Sequence, residues 1–258
     1  MYHEIHGRTD AGAPTVLLCS GLGGAAQYWA AHIAALATHF RVIAYDQNGT
    51  GRSRATLPFG YAIADMAVEV AALLGNLGVR RAHFVGHALG GLIGLQLAVD
   101  RPALVDRLIL VNAWARTHAH TLRCFAARKS LLSNTGVAAY VQAQPLFLYP
   151  AAWLADRQDW LVEQDAAGIA HFPSTETVLR RIEAIEAFDL TAAIPGIVAP
   201  CLVVAARDDV LVPYTCAINL ADQLPEVQLK LLEHGGHACN ITDPVGFDAL
   251  VKAFLLPA

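Results

Sequence analysis

Apolar residues along the first half of this chain fall into two alternating rhythms. Short, nearly unbroken apolar runs at 15–20 (TVLLCS), 41–46 (RVIAYD), 82–87 (AHFVGH) and 106–112 (DRLILVN) suit strands buried on both faces. Between them the spacing turns helical. Trp29, Ile33, Leu36 and Phe40 recur within 29–40, and 65–78 opens on Asp65 as an acidic N-cap and ends at Gly78. A third helical stretch, 88–100, follows the third strand. Strands alternating with helices predict an α/β fold: a mostly parallel, twisted sheet with right-handed crossovers and helices on both faces.

After Trp114 the alternation stops. Residues 116–190 carry several helix-like segments, broken at 144–150 (QPLFLYP) and 171–175 (HFPST), and no strong strand. The β pattern returns at 201–206 (CLVVAA) and 228–234 (QLKLLEH), and a last helix is expected over 243–255. The expected organisation is a core of 1–115 and 191–258, interrupted by an inserted helical lid at 116–190.

Composition narrows the classes. With 258 residues, 55% of them hydrophobic and 16% charged, the chain can fill one large core and has no disordered signature. A net charge of −4 offers no case for nucleic acid or an anionic membrane. The five scattered cysteines (Cys19, Cys124, Cys201, Cys216, Cys239) read as reduced thiols. MYHEIHGRTD is charged where a signal peptide is apolar, and no apolar run reaches membrane-spanning length. These features predict a cytoplasmic monomer or homodimer with a small-molecule substrate.

Two chemistries compete for the loops. Gly21 to Ala26 fits G-x-G-x-x-A after a strand, and Asp46 ends the next strand, as in a dinucleotide site. That reading leaves three segments unused: VGHALGG (85–91), ARDDVLVP (206–213) and GGHACNITDP (235–244). A hydrolase uses all three. In open α/β sheets functional groups gather at the carboxyl ends of strands. Gly86–Gly90 follows the third strand, Asp208 and Asp209 follow the CLVVAA strand, and His237 follows the last strand through Gly235 and Gly236. The chain order is therefore elbow, acid, histidine, as in α/β-hydrolases. Gly86 and Gly90 would relieve crowding at a tight strand-to-helix turn. The central residue of that turn is Ala88, which has no nucleophile.

These residues resemble the α/β-hydrolase superfamily over essentially the whole chain. SGLGG (20–24) resembles the oxyanion loop, with Ser20-Gly21 in place of the usual His-Gly. DQNGTGRS (46–53) resembles D-x-R-G-x-G-x-S, with Asn48 replacing arginine. DDVLVP resembles the acid-bearing segment, where the spacing to Pro213 falls on Asp209, and GGHACNITDP the segment whose catalytic histidine falls on His237. The resemblance implies an oxyanion hole made by the backbone N–H groups of Leu22 and Leu89.

A narrower resemblance rests on GHALG, HAHTLRCF (118–125), QAQPLFLYP (142–150), AHFPS and GGHACNITDP, which are similar to a pyrimidine-utilisation group of that superfamily. Alanine stands at the elbow in that group too. The likeness implies uracil breakdown by the Rut route. The implied step is hydrolysis of carbamate to ammonia and carbon dioxide, or of aminoacrylate to malonic semialdehyde and ammonia. Both run unaided, so a modest accelerator is implied, with His237 oriented by Asp209 activating water. An ester or enol-lactone hydrolase and a catalytically silent small-ligand binding protein are the alternatives.

Around the lid, Trp114, Arg123 and Tyr149 are the candidates for substrate contact, Arg123 for a carboxylate. His87 reads as packed or hydrogen-bonded, and Cys239 as a small buried residue. His118 and His120, two apart, share neither a strand face nor a helix face, so no metal is expected. No cofactor is expected either.

Overall fold

The structure is a computed structural model describing residues 1–10 and 12–256. Ala11, Pro257 and Ala258, which the expected core segments include, lie outside the described residues. The core strands are β1 (His3–Gly7), β2 (Thr15–Cys19), β3 (Arg41–Tyr45), β4 (Ala82–His87) and β5 (Val105–Val111). Helices α1 (Ala30–Ala37), α2 (Ile63–Asn76) and α3 (Leu89–Asp100) alternate with β2 to β5. Five helices then follow: α4 (Ala119–Asn134), α5 (Val137–Leu148), α6 (Ala151–Ala155), α7 (Gln158–Ala170) and α8 (Thr175–Glu186). The chain returns to the sheet with β6 (Cys201–Ala206), α9 (Thr215–Ala221), β7 (Val227–Leu232), the single turn α10 (Cys239–Thr242) and α11 (Pro244–Leu255).

One sheet has the order β1-β3-β2-β4-β5-β6-β7. β1 runs antiparallel to β3, and every other pairing is parallel. Side chains alternate between its two faces, as the pleat requires. Leu17, Phe84, Leu108 and Val203 pack toward α2, α3 and the inserted helices. Val16, Val85, Ile109 and Val204 pack toward Trp29 and Leu36 of α1 and its approach, and toward Phe247 and Val251 of α11. Both faces are covered, which is why these strands read as continuous apolar runs.

Four local expectations differ from the structure. The helix expected from Asp65 starts at Ile63, and Asp65 is its third residue. From there the carboxylate accepts the Ala62 N–H at 2.9 Å, a reach-back that also satisfies a free donor. Pro145 lies inside α5 instead of breaking it at 144. The helix expected over 29–40 is a 3₁₀ turn, Ala26–Trp29, followed by the shorter α1. β1 and α9 lie where no element was expected.

The strand ends matter most for function. Gly86 and Gly90 let the β4–α3 turn close. A Cβ on Gly86 would lie 2.5 Å from the Gly90 carbonyl carbon, and one on Gly90 2.7 Å from Ser20 O. Between them Ala88 takes φ 48° and ψ −116°, a conformation most residues avoid.

Candidate active site

The acid, the histidine and the elbow converge at the carboxyl end of the sheet. Asp209 follows β6 and His237 follows β7. His237 Nδ1 donates to Asp209 Oδ2 at 2.8 Å, and both side chains are buried. The other carboxylate oxygen, Oδ1, accepts the N–H groups of Leu211 and Val212 at 2.8 and 2.9 Å. Three donors therefore fix this carboxylate, and the imidazole presents Nε2 as its free nitrogen. Asp208 has a different task. Its carboxylate accepts Gly235 N at 3.2 Å and Gly236 N at 2.9 Å, and so shapes the turn that carries His237.

The His237 backbone is held as firmly as its ring. Its carbonyl accepts His87 Nε2 at 2.8 Å and Asn112 Nδ2 at 2.6 Å. Asn112 follows β5 with φ 48°, and its Oδ1 accepts Ala206 N from β6. His87 stacks on Tyr28 at 5.0 Å and meets the His237 ring edge-on at 4.8 Å. Burial, with the nearby His237 adding to it, pushes the His87 imidazole down to about 3, so it stays neutral and keeps Nε2–H as a donor. This agrees with its expected packing role. Asn112 was not expected; its partners lie more than 90 residues away in sequence.

A cavity of about 190 Å³ opens in front of His237. Gly21, Leu22, Ala88 and Leu89 line it, and Trp114, Phe125, Leu148 and Ile185 add apolar wall. Among the described residues, neither the Leu22 nor the Leu89 N–H finds an acceptor in the protein, so both are available to a ligand. Leu89 opens α3, where N–H groups lack partners inside the helix. The Gly21–Leu22 peptide is braced from behind by Arg181 of α8, whose Nη2 donates to Gly21 O at 3.3 Å and Nε to Leu22 O at 3.1 Å. Arg181 is buried, donates also to Gln47 Oε1, and forms no ion pair among the described residues. Gln47 in turn donates to Ser20 O at 2.7 Å. Neither Arg181 nor Gln47 was singled out in the sequence.

The other sequence candidates scatter. Trp114 lines the cavity and donates Nε1–H to Thr117 Oγ1 at 3.0 Å. Tyr149 stacks on Trp153 at 4.9 Å and is absent from the cavity wall. Arg123 is exposed on α4 and does not reach the cavity; Arg128, further along the same helix, does. Cys239 is buried, and burial pushes its thiol up to about 12, which leaves it no useful thiolate. Asp46, the acidic residue of the dinucleotide-like pattern, is an internal brace that accepts Ala26 N and Arg52 N, both at 2.8 Å.

Fold, chain order and elbow define a hydrolase scaffold, and comparison with known proteins agrees. A model of the alpha/beta hydrolase fold matches residues 14–244, and the chain belongs to that family. Similarity is high to the "Putative carbamate hydrolase RutD" of Agrobacterium fabrum (strain C58), 52% identical over 258 residues, covering 100% of this chain and 99% of that protein. The protein of the same name from Stutzerimonas stutzeri is 51% identical over 251 residues, covering 97% and 95%. Among solved structures, the enol-lactonase from Burkholderia xenovorans LB400 superposes with a TM-score of 0.90 at 28% identity, covering 98% of this chain and 95% of that one. The chain is a hydrolase. No helix among its described residues is long and apolar enough to cross a membrane.

Proposed function

We propose that this hydrolase serves the Rut route of uracil breakdown, speeding release of ammonia from carbamate or aminoacrylate by histidine-assisted proton transfer without a covalent intermediate. The observation that carries the reading is the buried His237–Asp209 pair beside an elbow whose central residue is a methyl group. The full-length similarity to RutD proteins supports the substrate class.

In this reading the missing hydroxyl leaves room for water between His237 Nε2 and the N–H groups of Leu22 and Leu89. With aminoacrylate, Nε2 moves a proton from the amino nitrogen to C2, giving the imine. Water then adds to C3 as Nε2 takes its proton and returns it to nitrogen. Nε2 next passes the proton of the new hydroxyl to that nitrogen as the C–N bond breaks and the C–O bond becomes a carbonyl; ammonia leaves, and malonic semialdehyde remains. With carbamate, a proton delivered to nitrogen lets the C–N bond break into ammonia and carbon dioxide. General acid–base help is worth about 10²–10⁴-fold, enough for reactions that already proceed alone. Helices α4 to α8 act as the lid of this site.

An ester or lactone hydrolase of the usual kind is disfavoured by the absence of a hydroxyl or low-pKa thiol at the elbow. Ammonia release, corrected for spontaneous breakdown, tests the reading. His237→Ala, checked as folded, is expected to return the rate to the uncatalysed one. A folded His237→Ala protein as fast as its parent ends the proposal and favours a binding protein.

A further inference from the structure

We infer that Arg128 is the carboxylate-recognition residue of the cavity, which therefore takes a small monocarboxylate whose carboxylate lies away from the reacting carbon. The inference deepens the proposed function and rests on it for the placement of the reacting carbon at His237.

Arg128 is 3% exposed and lines the cavity, yet it has no ion-pair partner among the described residues. Its Nη2 donates to two neutral oxygens, Tyr140 Oη at 2.8 Å and Gln144 Oε1 at 2.9 Å. Nε is buried without an acceptor, and Nη1 donates to no group among the described residues. The ring centres of Phe125 and Tyr140 stand 5.2 Å from the guanidinium carbon. None of the lining residues is acidic.

A guanidinium cannot shed its proton, so one that faces a cavity with unused donors and no counter-charge gains when an anion binds there. Its planar fork matches a carboxylate, to which two parallel N–H bonds can run. Arg181, the other deeply buried arginine discussed above, shows the contrast. Its Nε and Nη2 go to the carbonyls of Leu22 and Gly21 and to Gln47 Oε1, its Nη1 is buried without an acceptor, and it lies behind the oxyanion loop instead of on the cavity wall. Arg128 is the only arginine among the residues lining this cavity.

Arg128 enters the cavity from α4, whereas the Leu22 and Leu89 N–H groups come from loops of the core, and on this inference they grip opposite ends of the ligand. A carboxylate on Arg128 leaves the Leu22 and Leu89 N–H groups free for an oxygen or water at the reacting carbon. Carbamate cannot satisfy both ends, because its carboxylate carbon is also the carbon that reacts. A three-carbon acid such as aminoacrylate can. The structure therefore favours that substrate of the two.

Propionate and its neutral isostere propionamide separate charge from shape. In calorimetric titrations the unaltered protein is expected to bind propionate at least about tenfold more tightly, the size of one charge-assisted hydrogen bond. Arg128→Met should abolish that preference, and Arg128→Lys should keep part of it. With aminoacrylate, Arg128→Met should raise KM by about tenfold and lower kcat much less. Equal affinity of the unaltered protein for the two probes overturns the inference, whether or not a variant folds. So does a folded Arg128→Met protein that still prefers propionate. His237→Ala distinguishes the two proposals: it should stop turnover while propionate binding persists. If propionate binding depends on Arg128 but ammonia release is not accelerated, the subsite stands and the hydrolytic reading falls.

Discussion

His87→Gln removes a buried imidazole while leaving an N–H that can still donate to the His237 carbonyl. The folded protein holds His87 at about 3, chiefly by burial, whereas a free histidine titrates near about 6.5. Between those values the unfolded chain binds a proton that the folded chain refuses. Unfolding is then favoured as pH falls from about 6.5 toward 3, and unaffected by this group above about 6.5. At pH 5 the unfolded state lies about 1.5 units below its titration point, and each unit is worth about 1.4 kcal/mol. His87 therefore makes the parent lose about 2 kcal/mol between pH 7.5 and 5. Burial also lowers His32 and His83, but both are present in parent and variant and cancel in the comparison. Urea unfolding of both proteins at the two pH values measures the quantity. The variant should lose about 2 kcal/mol less than its parent; equal losses would refute the claim that burial keeps His87 neutral.

Ala88→Ser restores a hydroxyl beside His237, and a fluorophosphonate should label the variant at residue 88 while leaving that position of the parent unlabelled; an acylated parent would defeat the water route. Asp209→Asn should keep its acceptor for Leu211 and Val212 but turn an N–H toward His237 Nδ1. Ammonia release should then fall, though to a rate still above that of His237→Ala, as a corrected ammonia assay would show. Gly90→Ala drives a methyl into the Cys19 and Ser20 backbone, so urea unfolding should show destabilisation of about 3 kcal/mol or failure to fold.

Central strands were readable because both sheet faces are buried, which makes each strand an apolar run with no polar alternation. β1 was not, because HEIHG is an edge strand with half-exposed positions and a polar composition. The elbow, the acid and the histidine could be ordered along the chain, since each sits at a strand end. What could not be read were contacts made across the fold, such as Asn112 to His237 or Arg181 to Gly21. Arg128 is an instructive case. Thr121, Phe125, Arg128 and Leu132 are the buried residues of α4 and fall at spacings of four, three and four, which is one helical face. Arg123 lies about 140° around the helix from Arg128 at about 100° per residue, so it meets solvent. An arginine embedded in an apolar stripe was the available signal; its proximity in sequence to an exposed arginine concealed it.

The elbow itself raises the last question, since its strained geometry exists without the nucleophile it normally presents. A non-glycine residue at φ 48° and ψ −116° is disfavoured by about 1–3 kcal/mol and persists only where its surroundings impose it. Here Ala88 N donates to Val111 O at 2.8 Å, and the flanking backbone packs so closely that a Cβ on Gly86 or Gly90 would collide with it. The same turn starts α3, so it also sets the position of the unpaired Leu89 N–H, and Leu89 lines the cavity together with Leu22. Asn112, the other non-glycine residue with positive φ among the described ones, points its amide at the His237 carbonyl. Both strained positions therefore bear on groups that remain useful when the serine is absent: a donor for a developing oxyanion and a fixed imidazole. On the proposed reading the strain serves transition-state stabilisation and proton transfer, and the methyl of Ala88 supplies the space in which water takes the place of a side-chain oxygen.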